Sequence, residues 1–317
     1  MNKLIMSASP HIHTKSSINS IMRDVIIALL PASFCGIYFF GIQSAAVLIV
    51  TILSAILGEV VFEVLTKKRI TISDLSAVVT GLLLGLNLPS TIPLWMASVG
   101  SLFSIIIVKQ VFGGLGKNFM NPALAGRCFM LIAWTGAMTN FVSPSGVDAV
   151  SSATPLAIMQ SGEGALPSMF DAFIGKIPGC IGETSAIALI IGFLYLLIRR
   201  VVSVRTPLAY ILTFAVLTFI FGKNTTGMAQ WEFTIYQIIT GGLLLGAFFM
   251  ATDYTTTPTT PVGMTIFGIG CGILTFAIRQ FGGYPEGVSF SIILMNIASP
   301  LIEKATVPKS FGRTGGK

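Results

Sequence analysis

Charge is what this sequence lacks. Only 10% of its 317 residues are Asp, Glu, Lys or Arg, against roughly 25% in soluble globular chains. So few charges cannot cover a water-facing surface of this size, which excludes an ordinary soluble domain. Cysteine is scarce as well. Cys35, Cys128, Cys180 and Cys271 form no CxxC pair, so no zinc, thioredoxin-like or iron–sulfur pattern is present. Cys35, Cys128 and Cys271 lie in apolar segments and read as small buried hydrophobes. No dinucleotide fingerprint occurs. The net charge of +7 does not point to nucleic acid, because no basic groove with interleaved aromatics accompanies it. The first twenty residues are polar, so no cleavable signal peptide is expected.

What the chain has instead is apolar sequence, 53% of it, in long runs. A membrane span needs about 20 mostly apolar residues. Ten are predicted, over 22–41, 43–65, 73–88, 92–112, 122–141, 181–198, 207–222, 232–251, 262–280 and 287–302. The expected fold is therefore an all-α integral membrane protein with ten transmembrane helices. With the N-terminus cytoplasmic, 16 of the 19 Lys and Arg residues fall at cytoplasmic ends, including Lys109 and Arg127; only Lys176, Lys223 and Arg279 fall outside. That bias puts both termini in the cytoplasm.

An internal repeat sharpens this. Gly81-Leu82-Leu83-Leu84-Gly85 recurs as Gly242-Leu243-Leu244-Leu245-Gly246, Pro89–Pro93 as Pro258–Pro261, and Phe112-Gly113-Gly114 as Phe281-Gly282-Gly283. The Pro93 turn is expected outside and the Pro261 turn inside. The halves are thus predicted to form an inverted repeat of five helices plus five. The expected organisation is a cytoplasmic N-terminal segment (1–21), a first five-helix repeat (22–141), an extracytoplasmic loop (142–180), a second repeat (181–302) and a cytoplasmic tail (303–317). A loop as long as 142–180 is often functional.

Within that loop, Thr154 followed by Pro155 reads locally as a helix N-cap and first turn, opening a short surface helix over Leu156–Met159. The wider pattern says more. Asp148-x-x-Ser151-Ser152-Ala153-Thr154 resembles the flavinylation motif of the RnfD/NqrB family of membrane subunits, with Ser152 where the family often has Gly. The resemblance extends to Phe112–Asn118 with Asn121–Arg127, to Thr252-Asp253-Tyr254, to Phe281–Val288 and to Met295-Asn296. It covers nearly the whole chain, whose short length is closer to the RnfD branch.

That resemblance implies FMN joined to Thr154 through a phosphoester, with Asp148, Ser151, Ser152 and Ala153 as the surrounding motif. It implies maturation by a flavin transferase of the ApbE type, acting beyond the cytoplasmic membrane of a bacterium or archaeon. Asn118, Asn121 and Arg127 form a polar group that is expected to line a second, non-covalent site for riboflavin, against the simpler reading of a positive-inside loop with a Pro122 helix start. Glu59 and Glu63 share one helix face. They are read either as partners of basic residues near Lys67 or as a cation route, since ionisable groups at membrane depth suggest a pathway. No metal site is expected.

The function implied is that of one component, not catalytic alone, in an ion-translocating ferredoxin:NAD⁺ oxidoreductase, the Rnf complex. It would relay electrons through its flavin beside the A, B, C, E and G components of the complex in the lipid bilayer. The alternatives are the equivalent component of a Na⁺-translocating NADH:quinone oxidoreductase, or a solute channel or transporter with the same repeat and no redox role.

Overall fold

The computed structural model describes residues 17–144, 152–162 and 164–308. Among them every extended regular element is a helix. Helix α1 (Ile18–Phe40) starts at Ser17, whose side chain accepts from Ser20 N, and ends at Gly41. Helix α2 (Ile42–Leu65) follows at once. These two, with α13 (Pro261–Phe281) and α14 (Val288–Thr306), are long and apolar enough to cross a membrane. A fifth candidate is a bent pair, α11 (Gln230–Ile239) and α12 (Leu243–Met250), broken by 61°.

The other apolar helices are short. Helix α3 (Ser76–Leu86) has 11 residues, α5 (Pro122–Ala133) 12 and α9 (Ala186–Ile198) 13. At 1.5 Å per residue these reach about 16–20 Å, less than a hydrocarbon core of about 30 Å. Non-helical backbone at their ends is tolerable at that depth only where protein surrounds it. The burial fits that requirement: in α3 every residue but Val78 is buried.

Three expected spans change course. The span placed at 122–141 stops at Ala133, because Trp134 leaves helical geometry (φ −136°, ψ 55°), and α6 (Thr135–Met138) adds a single turn. The span placed at 232–251 breaks at Thr240–Gly242, where Gly241 has φ +70°. The span placed at 92–112 is α4 (Leu94–Gln110), whose second part, Phe103–Gln110, is π-helical. Two short helices, α7 (Pro155–Ser161) and α8 (Met169–Ile174), lie between α6 and α9 in the chain.

Helix α2 packs on α3 and α4, and α10 (Arg205–Phe221) packs on α13; α1 meets α9, and α5 meets α14. Glycines permit these close crossings. A Cβ on Gly192 would stand 2.0 Å from Ala28 O of α1, and one on Gly268 would stand 2.6 Å from Thr206 O of α10. Facing outward, α2 exposes Ile49, Leu53, Leu57, Val61 and Val64. Such an apolar stripe is far from a solvated face and suits lipid.

Candidate functional site

The Thr154 end is built by a cap. Thr154 is extended (φ −67°, ψ 153°) and its side-chain oxygen accepts from Ala157 N at 3.3 Å, opening α7. This matches the cap expected from Thr-Pro. The expected surface location does not hold, because Thr154, Pro155, Leu156 and Met159 are all buried. Ser152 N donates to Phe141 O at 2.9 Å, and Ala153 is exposed. Asp148 and Ser151 lie outside the described residues. As a cap, Thr154 Oγ1 accepts from the backbone through a lone pair, so an ester at that oxygen leaves an acceptor for the same bond.

Thr154 lines a narrow cleft of about 260 Å³ with Glu183, Thr184, Gly241 and Glu286. Beneath it lies a buried charge cluster. Arg127 pairs with Glu183 at 3.2 Å and with Glu286. It also donates to Ser289 Oγ at 2.9 Å and Asn87 Oδ1 at 3.3 Å, and Nη2 reaches Cys180 Sγ at 3.6 Å. Burial, with Glu183 beside it, pushes the Cys180 thiol well above its ordinary range, so it stays a protonated thiol. Cys180, Glu183 and Glu286 have metal-ligand spacing. Arg127 already supplies the cation among them.

A second polar site forms at the opposite ends of α3 and α5. Asn121 caps α5, accepting from Ala123 N at 3.0 Å and Leu124 N at 3.3 Å. Asn118 donates to Thr255 Oγ1 at 3.1 Å. Both line a cavity of about 740 Å³ with Ser76, Lys109, Asp253 and Thr255. Its lysine is already matched. Lys109 Nζ lies 2.8 Å from Glu59 Oε1. Asp253 accepts from the hydroxyls of Thr255 and Thr256, while burial raises its carboxyl above the ordinary range. Asn118 Oδ1 is buried and accepts nothing.

The structure therefore splits the expected group. Asn118 and Asn121 share the larger cavity, whereas Arg127, a turn and a half along α5, turns to the Thr154 cleft. Arg127 and Lys109 are buried and paired, so neither is a loop charge at the membrane surface. Glu59 is held by Lys109 and by Gln110 Nε2 at 2.6 Å. The π-helical turn brings both residues to one carboxylate. Glu63 accepts from Thr71 N at 3.0 Å and from the Thr71 hydroxyl, with no Lys67 pairing among the described residues. Sequence reading missed Glu183, Glu286 and Arg279. The first was findable, because a lone carboxylate in the expected 181–198 span is the same signal that singled out Glu59.

Residues 5–312 match the NQR2, RnfD, RnfE family. The chain is 49% identical, over 98% of its length and 96% of the relative's, to the D component of the Na⁺-translocating ferredoxin:NAD⁺ oxidoreductase complex of Acetobacterium woodii. It is 44% identical, over 98% of its length and 97% of the relative's, to the D component of the proton-translocating ferredoxin:NAD⁺ oxidoreductase complex of Clostridium ljungdahlii. Identity to the D component of the ion-translocating oxidoreductase complex of Halorhodospira halophila is 34%, over 99% and 96%.

Proposed function

From the premise that this chain belongs to the NQR2, RnfD, RnfE family, we propose that it is the flavin-carrying D component, embedded in the membrane, of an ion-translocating ferredoxin:NAD⁺ oxidoreductase. It would sit with the A, B, C, E and G components in the cytoplasmic membrane. What carries the reading is the near full-length similarity to two relatives named for that complex.

Thr154 is the proposed FMN anchor, through a phosphoester at Oγ1, within the motif Asp148, Ser151, Ser152 and Ala153. Its position as a cap beside a cleft of the protein supports this. The flavin would supply electron relay; the protein holds it in place and sets its surroundings. Because Thr154 is buried, the flavin transferase must act while this segment is open. The test is in-gel fluorescence of the denatured protein with peptide mass measurement over 142–180. Flavin is expected on Thr154 and should be lost in Thr154→Val; full fluorescence in that variant would sink the assignment.

The Asn118–Asn121 cavity is the proposed non-covalent riboflavin site. Its lysine, Lys109, is already paired with Glu59, which suits an uncharged ligand better than a phosphorylated one. Asn118 Oδ1 offers an unclaimed acceptor for a ring N–H.

The ten-span arrangement also belongs to this proposal: two inverted halves of five, both termini cytoplasmic and the 142–180 loop outside. Corresponding helices supply support. The α2–α4 packing has its counterpart in α10–α13, while the corresponding helices α1 and α9, and α5 and α14, meet each other across the halves. Glu59 and Glu63 are the proposed cation route. Glu59→Gln and Glu63→Gln, assembled normally in membranes, are expected to lower ion pumping several-fold; unchanged pumping discards the route.

A further inference from the structure

Arg279, near the end of α13, is only 7% exposed. Its Nη1 donates to Gln237 O at 2.6 Å and to Gln237 Oε1 at 3.1 Å. Its Nε and Nη2 are buried and meet no acceptor. Among the described residues no carboxylate forms an ion pair with it. The guanidinium carbon lies 5.0 Å from the centre of the Phe214 ring, which holds the head in place. A buried donor left unpaired costs about 1–3 kcal/mol, and a guanidinium stays charged. Two such donors on one fixed head ask for an acceptor or an anion.

The head lines a cavity of about 620 Å³ with Gln160, Gln237, Gln280 and Lys223, closed on its apolar side by Leu156 and Phe233. This cavity adjoins the Thr154 cleft, with Leu156 in the wall of both. Gly241 stands between. A Cβ there would lie 3.3 Å from Arg279 Nη2 and 2.3 Å from Leu156 Cδ1, so the bare glycine lets the arginine head and Leu156 pack closely against the backbone at the edge of the cleft. The cleft is much the narrower of the two spaces.

We propose that this Arg279 cavity, and not the cleft around Thr154, seats the ring system of the group tethered at Thr154. Arg279 faces the negative charge that flavin reduction places on the pyrimidine edge. This rests on the reading of Thr154 as the flavin anchor. The cavity offers what such a ring needs. Amide groups of Gln160, Gln237 and Gln280 present both donors and acceptors to a heterocycle edge, and Leu156 and Phe233 cover its faces. A fixed positive charge beside the ring favours the reduced form and raises the potential.

The test uses the whole purified complex. The signal of this flavin is taken as the difference from the Thr154→Val complex, and its midpoint potential is read by spectroelectrochemical titration. Arg279→Gln is expected to keep covalent fluorescence in the denatured band. It should shift the reduced-to-oxidised equilibrium at least tenfold toward oxidised, about 30 mV lower for a two-electron couple. Arg279→Lys should recover most of that. Lys223→Gln, at an exposed position on the same cavity, should give a smaller shift of the same sign and decides the matter if Arg279→Gln fails to assemble. Normal covalent flavin with unchanged potential in Arg279→Gln, or in Lys223→Gln where that variant decides, overturns the seat. A wild-type protein without covalent flavin overturns the anchor reading, and the seat with it.

Discussion

At the residue scale the organising group is Arg127. Its guanidinium is buried and holds two glutamates, Glu183 and Glu286, from segments far apart in sequence. Removing one partner of a buried pair typically costs about 3–5 kcal/mol, because the other charge is left unpaired. Arg127→Gln is therefore expected to lower the melting temperature of the solubilised complex sharply. Adding Glu183→Gln should recover part of the loss, as the orphaned carboxylate is then neutral. If the double variant melts no higher than the single one, the pair is not what Arg127 provides. The sequence could not show this pairing. It marked Arg127 as a polar residue after a Pro122 helix start, and only the crossing of α5 with the 180–185 turn and the start of α14 decides which carboxylates face it.

At the element scale, the hydrophobic runs gave the helices and the glycines gave their interruptions. The repeated Gly-Leu-Leu-Leu-Gly shows both how far sequence reaches and where it stops. In α3 its glycines let α2 come close: a Cβ on Gly81 would lie 2.8 Å from Ile52 Cα. In the second half, a Cβ on Gly242 would lie 2.5 Å from Glu183 Oε1 and one on Gly246 would lie 2.3 Å from Val288 Cγ1. The same motif thus serves a helix crossing in one half and the wall of a charge cluster in the other. The break between α11 and α12 turns on Gly241, whose φ of +70° costs a side-chain-bearing residue roughly 1–2 kcal/mol. Gly241→Ala also meets Leu156. A loss of about 2 kcal/mol or more is expected in thermal melts, against little change for Gly136→Ala, where nothing lies within 4 Å of the added carbon. Equal melts for the two would remove Gly241 as the hinge of that bend.

For the whole molecule, the arrangement of ends is the testable statement. Ala165, in the long loop, and Ser203, between α9 and α10, are both exposed. Cys128, Cys180 and Cys271 are buried and Cys35 is half-buried, which keeps the labelling background low. A membrane-impermeant maleimide applied to intact cells should label Ala165→Cys and spare Ser203→Cys, with the reverse in inside-out vesicles. Labelling of both positions from one side would break the inverted arrangement. The short helices α3, α5 and α9 also make sense only at this scale. Alone they cannot cross a bilayer; surrounded by α1, α2, α14 and their neighbours, their ends need not meet lipid.

The sequence by itself determined that the chain is helical and built for a membrane, because apolar runs and scarce charge leave no other solution for the backbone in lipid. It also placed a helix cap at Thr154, because a threonine before proline is a local matter, settled within a few residues; the flavin role there is implied only by the family resemblance of the 148–154 motif. Tertiary structure decided the rest. It buried Thr154, separated Arg127 from Asn118 and Asn121, matched Lys109 to Glu59, and left Arg279 with two unclaimed donors. Each of those outcomes depends on which helix faces which. That is set by close glycine contacts between segments tens to hundreds of residues apart, and no local pattern encodes it.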